Sequence, residues 1–253
     1  MEIKDKKAIV IGGASGMGRA SAELLAERGA RVAIIDRPGG AGEEVASAIG
    51  GTFVEGDITD HTAIEAQLSK AVDSLGGLNI AVNTAGGGIV GKTLGKNGPH
   101  GLEDFASVIN LNLISTFNLN RLQAAHMSTA EPNEDGERGV IINTSSIAAF
   151  EGQIGQVAYS AAKAGIAGMA LTMARDLGSY GIRVLAIAPS LFATGAVAAL
   201  SDDMIPPLVA GNAFPKRMGR PDEYAKLAAA IVENAMLNGQ CLRLDAGMRF
   251  APR

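Results

Sequence analysis

Short apolar runs rich in β-branched residues recur along the chain at 8–11, 31–36, 52–55, 79–83, 140–144, 183–188 and 240–244. At four to six residues each they are too short for helices, and they predict strands. Longer Ala-rich patterns at 17–28, 42–49, 62–75, 102–127, 157–180 and 222–234 predict helices between them. Strict alternation of the two predicts an α/β fold, with parallel strands joined by right-handed helical crossovers. The expected architecture is one doubly wound parallel sheet of about seven strands with helices on both faces. With no internal repeat and no break in the alternation, residues 1–253 are expected to form one domain.

Three segments fall outside the alternation. Residues 86–101 carry seven glycines and are expected to form a mobile loop after the fourth strand. The polar stretch EPNEDGERG at 131–139 reads as a solvated connection. Residues 190–221 follow the sixth strand and contain Pro206, Pro207 and Pro215. Ligands in open α/β sheets bind beyond the carboxyl ends of strands, so this segment is expected to be a substrate lid.

The first strand runs into Gly12-Gly13-Ala14-Ser15-Gly16-Met17-Gly18 and then a helix. Glycines there permit a tight turn and close backbone approach, and the helix N-terminus offers free N–H groups to a pyrophosphate. Arg19-Ala20 replaces the Lys and Ser/Thr of a nucleoside-triphosphate loop, which leaves dinucleotide binding as the expectation. Asp36 closes the second strand, where a carboxylate can accept from an adenosine ribose and repel a 2′-phosphate. That favours NAD, although Arg37 could pair with a 2′-phosphate. Alone, Asp36 is an ordinary strand-end residue; the glycine loop gives it a cofactor role. Tyr159 and Lys163 stand four apart on one predicted helix face, so the ammonium can lower the phenol's pKa and make it a proton acceptor. Alone, such a pair is better read as a surface pair.

Composition narrows the field. The chain of 253 residues is 47% hydrophobic and 19% charged, which opposes disorder. Its net charge of −4 gives no reason to expect nucleic acid. Cys241, the single cysteine, excludes an intramolecular disulfide and reads as a core thiol. His61, His100 and His126 lack metal-ligand spacing, so no metal is expected. The N-terminus enters a strand pattern at once, and the longest uncharged stretch, 184–200, is broken by Pro189 and Gly195. A cytoplasmic protein without membrane spans is expected.

The glycine loop, Asn83-Thr84-Ala85-Gly86, Asn112, Ser146, Tyr159-Ser-Ala-Ala-Lys163 and the segment from Pro189 to Thr194 stand in the order found in the short-chain dehydrogenase/reductase family, which the whole chain resembles. The resemblance implies a Rossmann-type fold with Tyr159 as catalytic acid/base. Lys163 would bind the nicotinamide ribose and tune Tyr159, Ser146 would orient substrate with Tyr159, and Asn112 would support a proton-relay water. It further implies that Gly12, Ser15, Gly16, Met17, Gly18, Asp36, Asp57, Ile58, Asn83, Thr84, Ala85, Gly86, Pro189, Phe192 and Thr194 surround NAD together with Tyr159 and Lys163. Ile11, Thr84 and Ser190 depart from the family pattern, which touches local loop hydrogen bonds and not the proton-transfer set.

Residues 118–127 and 138–159 (RGVIINTSSIAAFEGQIGQVAY) are most similar to family members that act on 3-hydroxyacyl-CoA. This implies NAD-linked oxidation of a 3-hydroxyacyl-CoA, with 2-methyl-branched chains and hydroxysteroids as further substrates, in a homotetramer. Lys92, Lys96, Lys216, Arg217 and Arg220 lie in the two loops expected to flank the cleft and are candidates to meet CoA phosphates. Two rivals stand beside this reading: an NADPH-dependent 3-oxoacyl-carrier-protein reductase, which Asp36 disfavours, and a dinucleotide-binding regulator without catalysis.

Overall fold

In the computed structural model, which describes residues 1–96, 98–195, 200, 201 and 203–252, all seven apolar runs are strands. They are β1 (Lys7–Ile11), β2 (Arg31–Asp36), β3 (Thr52–Glu55), β4 (Ile80–Asn83), β7 (Gly139–Thr144), β8 (Ile182–Pro189) and β9 (Cys241–Leu244). They pair in the order β3-β2-β1-β4-β7-β8-β9, every pairing parallel. The chain winds outward from β1 to β3 and then crosses to β4 on the other side of β1. That reversal leaves a crevice above the carboxyl ends of β1 and β4, where no crossover covers the sheet.

Successive strand residues point to opposite faces, so one sheet feeds two cores. Val10, Ile34, Val140 and Leu185 pack on one face with Ala22 and Leu25 of α1 (Gly16–Glu27), and with Tyr224 and Ala228 of a C-terminal helix, Pro221–Glu233. Ile9, Ile11, Ile35 and Ile141 pack on the other with Leu68 of α3 (Ala63–Leu75). Leu119 of α5 (Ser115–Ser128) and Met173 of α6 (Val157–Leu177) complete that second layer. A shorter helix, α2 (Gly42–Ala48), links β2 to β3.

Two expectations are corrected. The helix predicted over 102–127 is two helices, α4 (Leu102–Ile109) and α5, separated by a wide π turn at Asn110–Ile114. Hydrophobic spacing on either side stays helical, so periodicity alone conceals the extra residue. The glycine-rich loop after β4 is partly ordered: Leu94–Gly95 (β5) and Gly98–Pro99 (β6) pair antiparallel, and the Gly91 N–H donates to the Gly155 carbonyl at 2.8 Å. The segment 190–221, of which 196–199 and 202 lie outside the described residues, contains a short helix α7 (Ile205–Val209). It is tied to itself by the Gly219 N–H to the Leu191 carbonyl and the Ala193 N–H to the Gly219 carbonyl, both 2.9 Å. The Pro221–Glu233 helix, α8, starts with Pro at its first position, and the Glu223 carboxylate accepts from the Arg220 N–H at 2.8 Å. Among the described residues, no helix is long and apolar enough to cross a membrane.

Candidate active site

A trough of about 750 Å³ runs over the carboxyl edge of the sheet from β2 to β7. Its floor is the glycine loop. Gly12 and Gly16 have φ of +81° and +52°, and a Cβ on Gly18 would lie 2.1 Å from the Gly12 carbonyl oxygen. Only glycine permits that turn, and the turn brings the N-terminus of α1 against the trough. Ser15 caps α1 without spending its hydroxyl on the helix. The Thr84 hydroxyl donates to the Ile11 carbonyl at 2.9 Å and pins the start of the β4 loop beside it.

At the β2 end, Asp36 accepts from the Ala14 N–H at 2.9 Å and the Arg37 N–H at 2.8 Å, so its carboxylate is fixed against the glycine loop. A carboxylate has about four lone-pair positions, and those left over face incoming hydroxyls. Asp57 accepts from the Thr59 hydroxyl at 2.7 Å and the Thr59 N–H at 2.8 Å. These bonds, the hydroxyl first, hold its pKa below the usual carboxylate value. Ile58, Met17, Ala85, Gly86, Pro189, Phe192 and Thr194 also line the trough. Phe192 fills the space that a side chain on Gly219 would need, and Thr194 reaches the glycine loop at Gly16. Asn83, expected at the cofactor, does not line the trough. Its side chain sits in a buried amide cluster, donating to Asn120 and Gln123 at 3.0 Å and Asn143 at 2.9 Å.

At the β7 end stand the residues expected to transfer protons. Ser146 follows β7 in extended backbone, and its hydroxyl accepts from the Ala148 N–H at 3.1 Å, leaving its proton free to donate. Tyr159 projects from the first turn of α6, and Lys163 lies one turn on with its Nζ 5.5 Å from the ring centroid. That ammonium is 4% exposed and donates to the Thr144 carbonyl at 2.9 Å. Burial pushes Lys163 down to about 8. Burial also pushes the Tyr159 phenol up, with the Ser146 hydroxyl offsetting part of the rise. The expected lowering of Tyr159 by Lys163 is thus not what this geometry gives: the ammonium bonds a carbonyl, and desolvation of the phenol outweighs it.

Asn112 sits inside the π turn, fully buried, and donates to the Gly87 carbonyl at 2.7 Å and the Val108 carbonyl at 2.9 Å. A Cβ on Gly86 would lie 2.7 Å from Asn112 Oδ1 and 3.2 Å from Lys163 Nζ, so the glycine lets the two side chains converge. Sequence reasoning missed Thr59, Leu111, Thr144 and Gly195 as lining residues. The Asp-x-Thr spacing of Asp57 and Thr59 is a turn signal that could have revealed the first.

Of the five candidate cations, three are committed elsewhere. Arg217 makes paired bonds of 2.8 and 2.7 Å to Glu223, Arg220 meets Asp222 at 3.3 Å, and Lys216 donates to the Ala210 and Asn212 carbonyls. Lys92 borders a second cleft of about 640 Å³ with Phe150, Gln153 and Val157. Cys241 is half-buried, and burial raises its thiol.

The glycine cradle, the free α1 N–H groups and the fixed Asp36 carboxylate fit a dinucleotide laid across β1 and β4. The model of the short chain dehydrogenase family matches residues 6–205. A 3-hydroxyacyl-CoA dehydrogenase type-2 from Drosophila melanogaster is 49% identical over 99% of this chain and 100% of its own length. The Homo sapiens protein of that name is 46% identical over 99% and 97%. The crystal structure of 3-hydroxyacyl-CoA dehydrogenase type-2 from Mycobacterium avium superposes with a TM-score of 0.94 at 40% identity, covering 100% of both chains. With sheet order, cradle and relatives in agreement over its length, the chain belongs to the short-chain dehydrogenase family and is an oxidoreductase that uses a nicotinamide dinucleotide.

Proposed function

We propose that the chain works as a single catalytic domain with a lid around 190–221, and that it uses NAD to oxidise the 3-hydroxyl of a 3-hydroxyacyl-CoA to the 3-oxo thioester. The observation that carries the reading is the convergence of Tyr159, Ser146 and Lys163 on the β7 end of a trough whose β2 end holds Asp36. The bound nicotinamide would supply the hydride acceptor and, when oxidised, a positive charge near the phenol. Ser146 donates its free proton to the substrate oxygen and orients it. Tyr159, as phenolate, takes the hydroxyl proton as the C3–H leaves with its electron pair, so the alcohol loses one proton and one hydride. Lys163 holds a ribose hydroxyl, and the positive charge of the oxidised nicotinamide would favour the phenolate. Asn112 keeps the Gly87 peptide beside Lys163 and supports a relay water.

NAD is preferred over NADP because Asp36 stands where a 2′-phosphate would have to approach a carboxylate. The names and identities of the relatives support the acyl-CoA substrate, and Lys92 at the second cleft is a candidate cation for CoA phosphates. A homotetramer is proposed with it, supported by the exposed apolar side chains of Leu102, Phe117, Val157 and Leu171 on α4, α5 and α6.

Initial rates with NAD and NADP across 3-hydroxyacyl-CoA esters, hydroxysteroids and simple secondary alcohols test this. The expected result is the highest kcat/KM for a 3-hydroxyacyl-CoA with NAD. Faster NADPH-linked reduction of a 3-oxoacyl carrier-protein thioester would replace this reading with the reductase.

A further inference from the structure

Tyr224 is a phenol with no part in the chemistry above, yet it is fully buried in the first turn of α8. Its neighbours on that face of the sheet are apolar, among them Val140, Leu185 and Ala228, and phenylalanine would fill the same volume without a hydroxyl to desolvate. The hydroxyl meets the Thr144 hydroxyl at 2.7 Å. Thr144 has one proton to give, and it gives it to the Asn83 carbonyl, also at 2.7 Å. Tyr224 must therefore be the donor, and the bonds run in one direction from Tyr224 to Thr144 to the end of β4.

That direction matters because of where Thr144 stands. Thr144 is the last residue of β7, and the β4–β7 register ends one residue before it, at Asn83 and Asn143. The side-chain bond adds a tie to β4 there, beside the Ser145 N–H that donates to the Ile187 carbonyl of β8 at 2.7 Å. On the opposite side the carbonyl of Thr144 accepts from Lys163 Nζ at 2.9 Å, the single protein acceptor found for that amine among the described residues. α8 and α6 thus reach one peptide from opposite faces of the sheet. Networks of this kind strengthen bond by bond when each member is satisfied.

We infer that Tyr224 is a positioning residue: by donating to Thr144 it fixes the peptide whose carbonyl sets where Lys163 stands relative to Tyr159. This rests on the role proposed above for Lys163. Burial holds Tyr224 far above its ordinary pKa, which keeps it the neutral donor this requires.

The test uses the full chain labelled with [ε-13C]lysine, with the Lys163 resonance assigned by its disappearance in Lys163→Met. In ligand-free protein, Tyr224→Phe and Thr144→Val are expected to move that resonance. In turnover at fixed pH they are expected to lower kcat about 10-fold at unchanged substrate KM, the scale of a small misplacement. Thr144→Ser, which keeps the hydroxyl, is expected to restore both relative to Thr144→Val, and this pair decides the matter if Tyr224→Phe does not fold. A parental Lys163 resonance and parental kcat in folded Tyr224→Phe would overturn the inference, whatever happens to Tm. Unimpaired turnover by Lys163→Met would instead overturn the role of Lys163, while the ligand-free spectra still decide whether Tyr224 positions it.

Discussion

Two cationic side chains are buried among the described residues, one toward each end of the sheet, and they are treated differently. Arg183 stands at the start of β8 and is 6% exposed. Its guanidinium donates to the Glu137 carboxylate at 2.7 Å and to the carbonyls of Ile231, Val232, Asn234 and Leu237 at 2.8–3.3 Å, where α8 ends. All three of its nitrogens donate. Lys163, 4% exposed near the carboxyl edge, spends one donor on a carbonyl and has no carboxylate partner. A saturated buried charge is a fastening, whereas an unsaturated one retains hydrogen-bonding capacity for an incoming molecule. One end of the sheet is built to stay closed and the other to receive a ligand.

Substitutions at the receiving end should cost rate without stability. Tyr159→Phe is expected to lower kcat by ~10²–10⁴-fold. Lys163→Met should fall by a similar factor, with Tm unchanged or raised, because an apolar stem replaces an underpartnered charge. Initial rates and thermal melts on the same samples check both; melting as low as an Arg183 variant would erase the distinction. At the closed end, Arg183→Met should cost about 3–5 kcal/mol in urea unfolding, because the α8 carbonyls lose their donor and the Glu137 carboxylate keeps only the Met1 ammonium. The fraction that remains folded should turn over normally in the cold.

The pH dependence separates the two cations again. Lys163 has its folded pKa lowered from 10.5 to about 8, so between those values the unfolded chain holds more protons than the folded one. Wild-type stability should therefore rise with pH across that window relative to Lys163→Met, by a few kcal/mol at most on the order set by ~1.4 kcal/mol per pKa unit. Urea midpoints of both proteins at pH 7.5 to 10, taken as arbitrary test points at roughly half-unit spacing, give the comparison. A flat difference would mean that the amine is better paired than the geometry indicates. Glu137→Gln takes the carboxylate from both Arg183 and the Met1 ammonium, so it is expected to cost about 3–5 kcal/mol of stability with kcat unchanged.

Sequence and structure agree best where local chemistry decides. The strands Arg31–Asp36 and Thr52–Glu55 have the predicted bounds, since β-branched runs between glycines leave few alternatives. Tyr159 and Lys163 share a face because a helix puts residues four apart together. What stayed hidden depends on partners distant in sequence. Asn83 faces amides on α5 and β7, and its strand position could not reveal them. Lys216, Arg217 and Arg220 look like free cations in sequence but find carbonyls and carboxylates within their own segment and α8. The pKa order at Tyr159 and Lys163 turned on burial depth, which spacing does not report. Tyr224 reads as one more core aromatic until its hydroxyl is traced to Thr144.

The π turn at Asn110–Ile114 has a consequence for phase. An α-helix advances about 100° per residue, so one extra residue in a turn offsets every side chain after it by that angle. α4 and α5 are therefore out of step along what is nearly one rod. Removing a single residue between 110 and 114 could close the rod into a regular helix, but it would swing Leu119, Leu122 and Met127 away from the core they now fill. The seat of Asn112 and the packing of α5 are set by the same added residue, so a frame-preserving deletion there would dismantle both together.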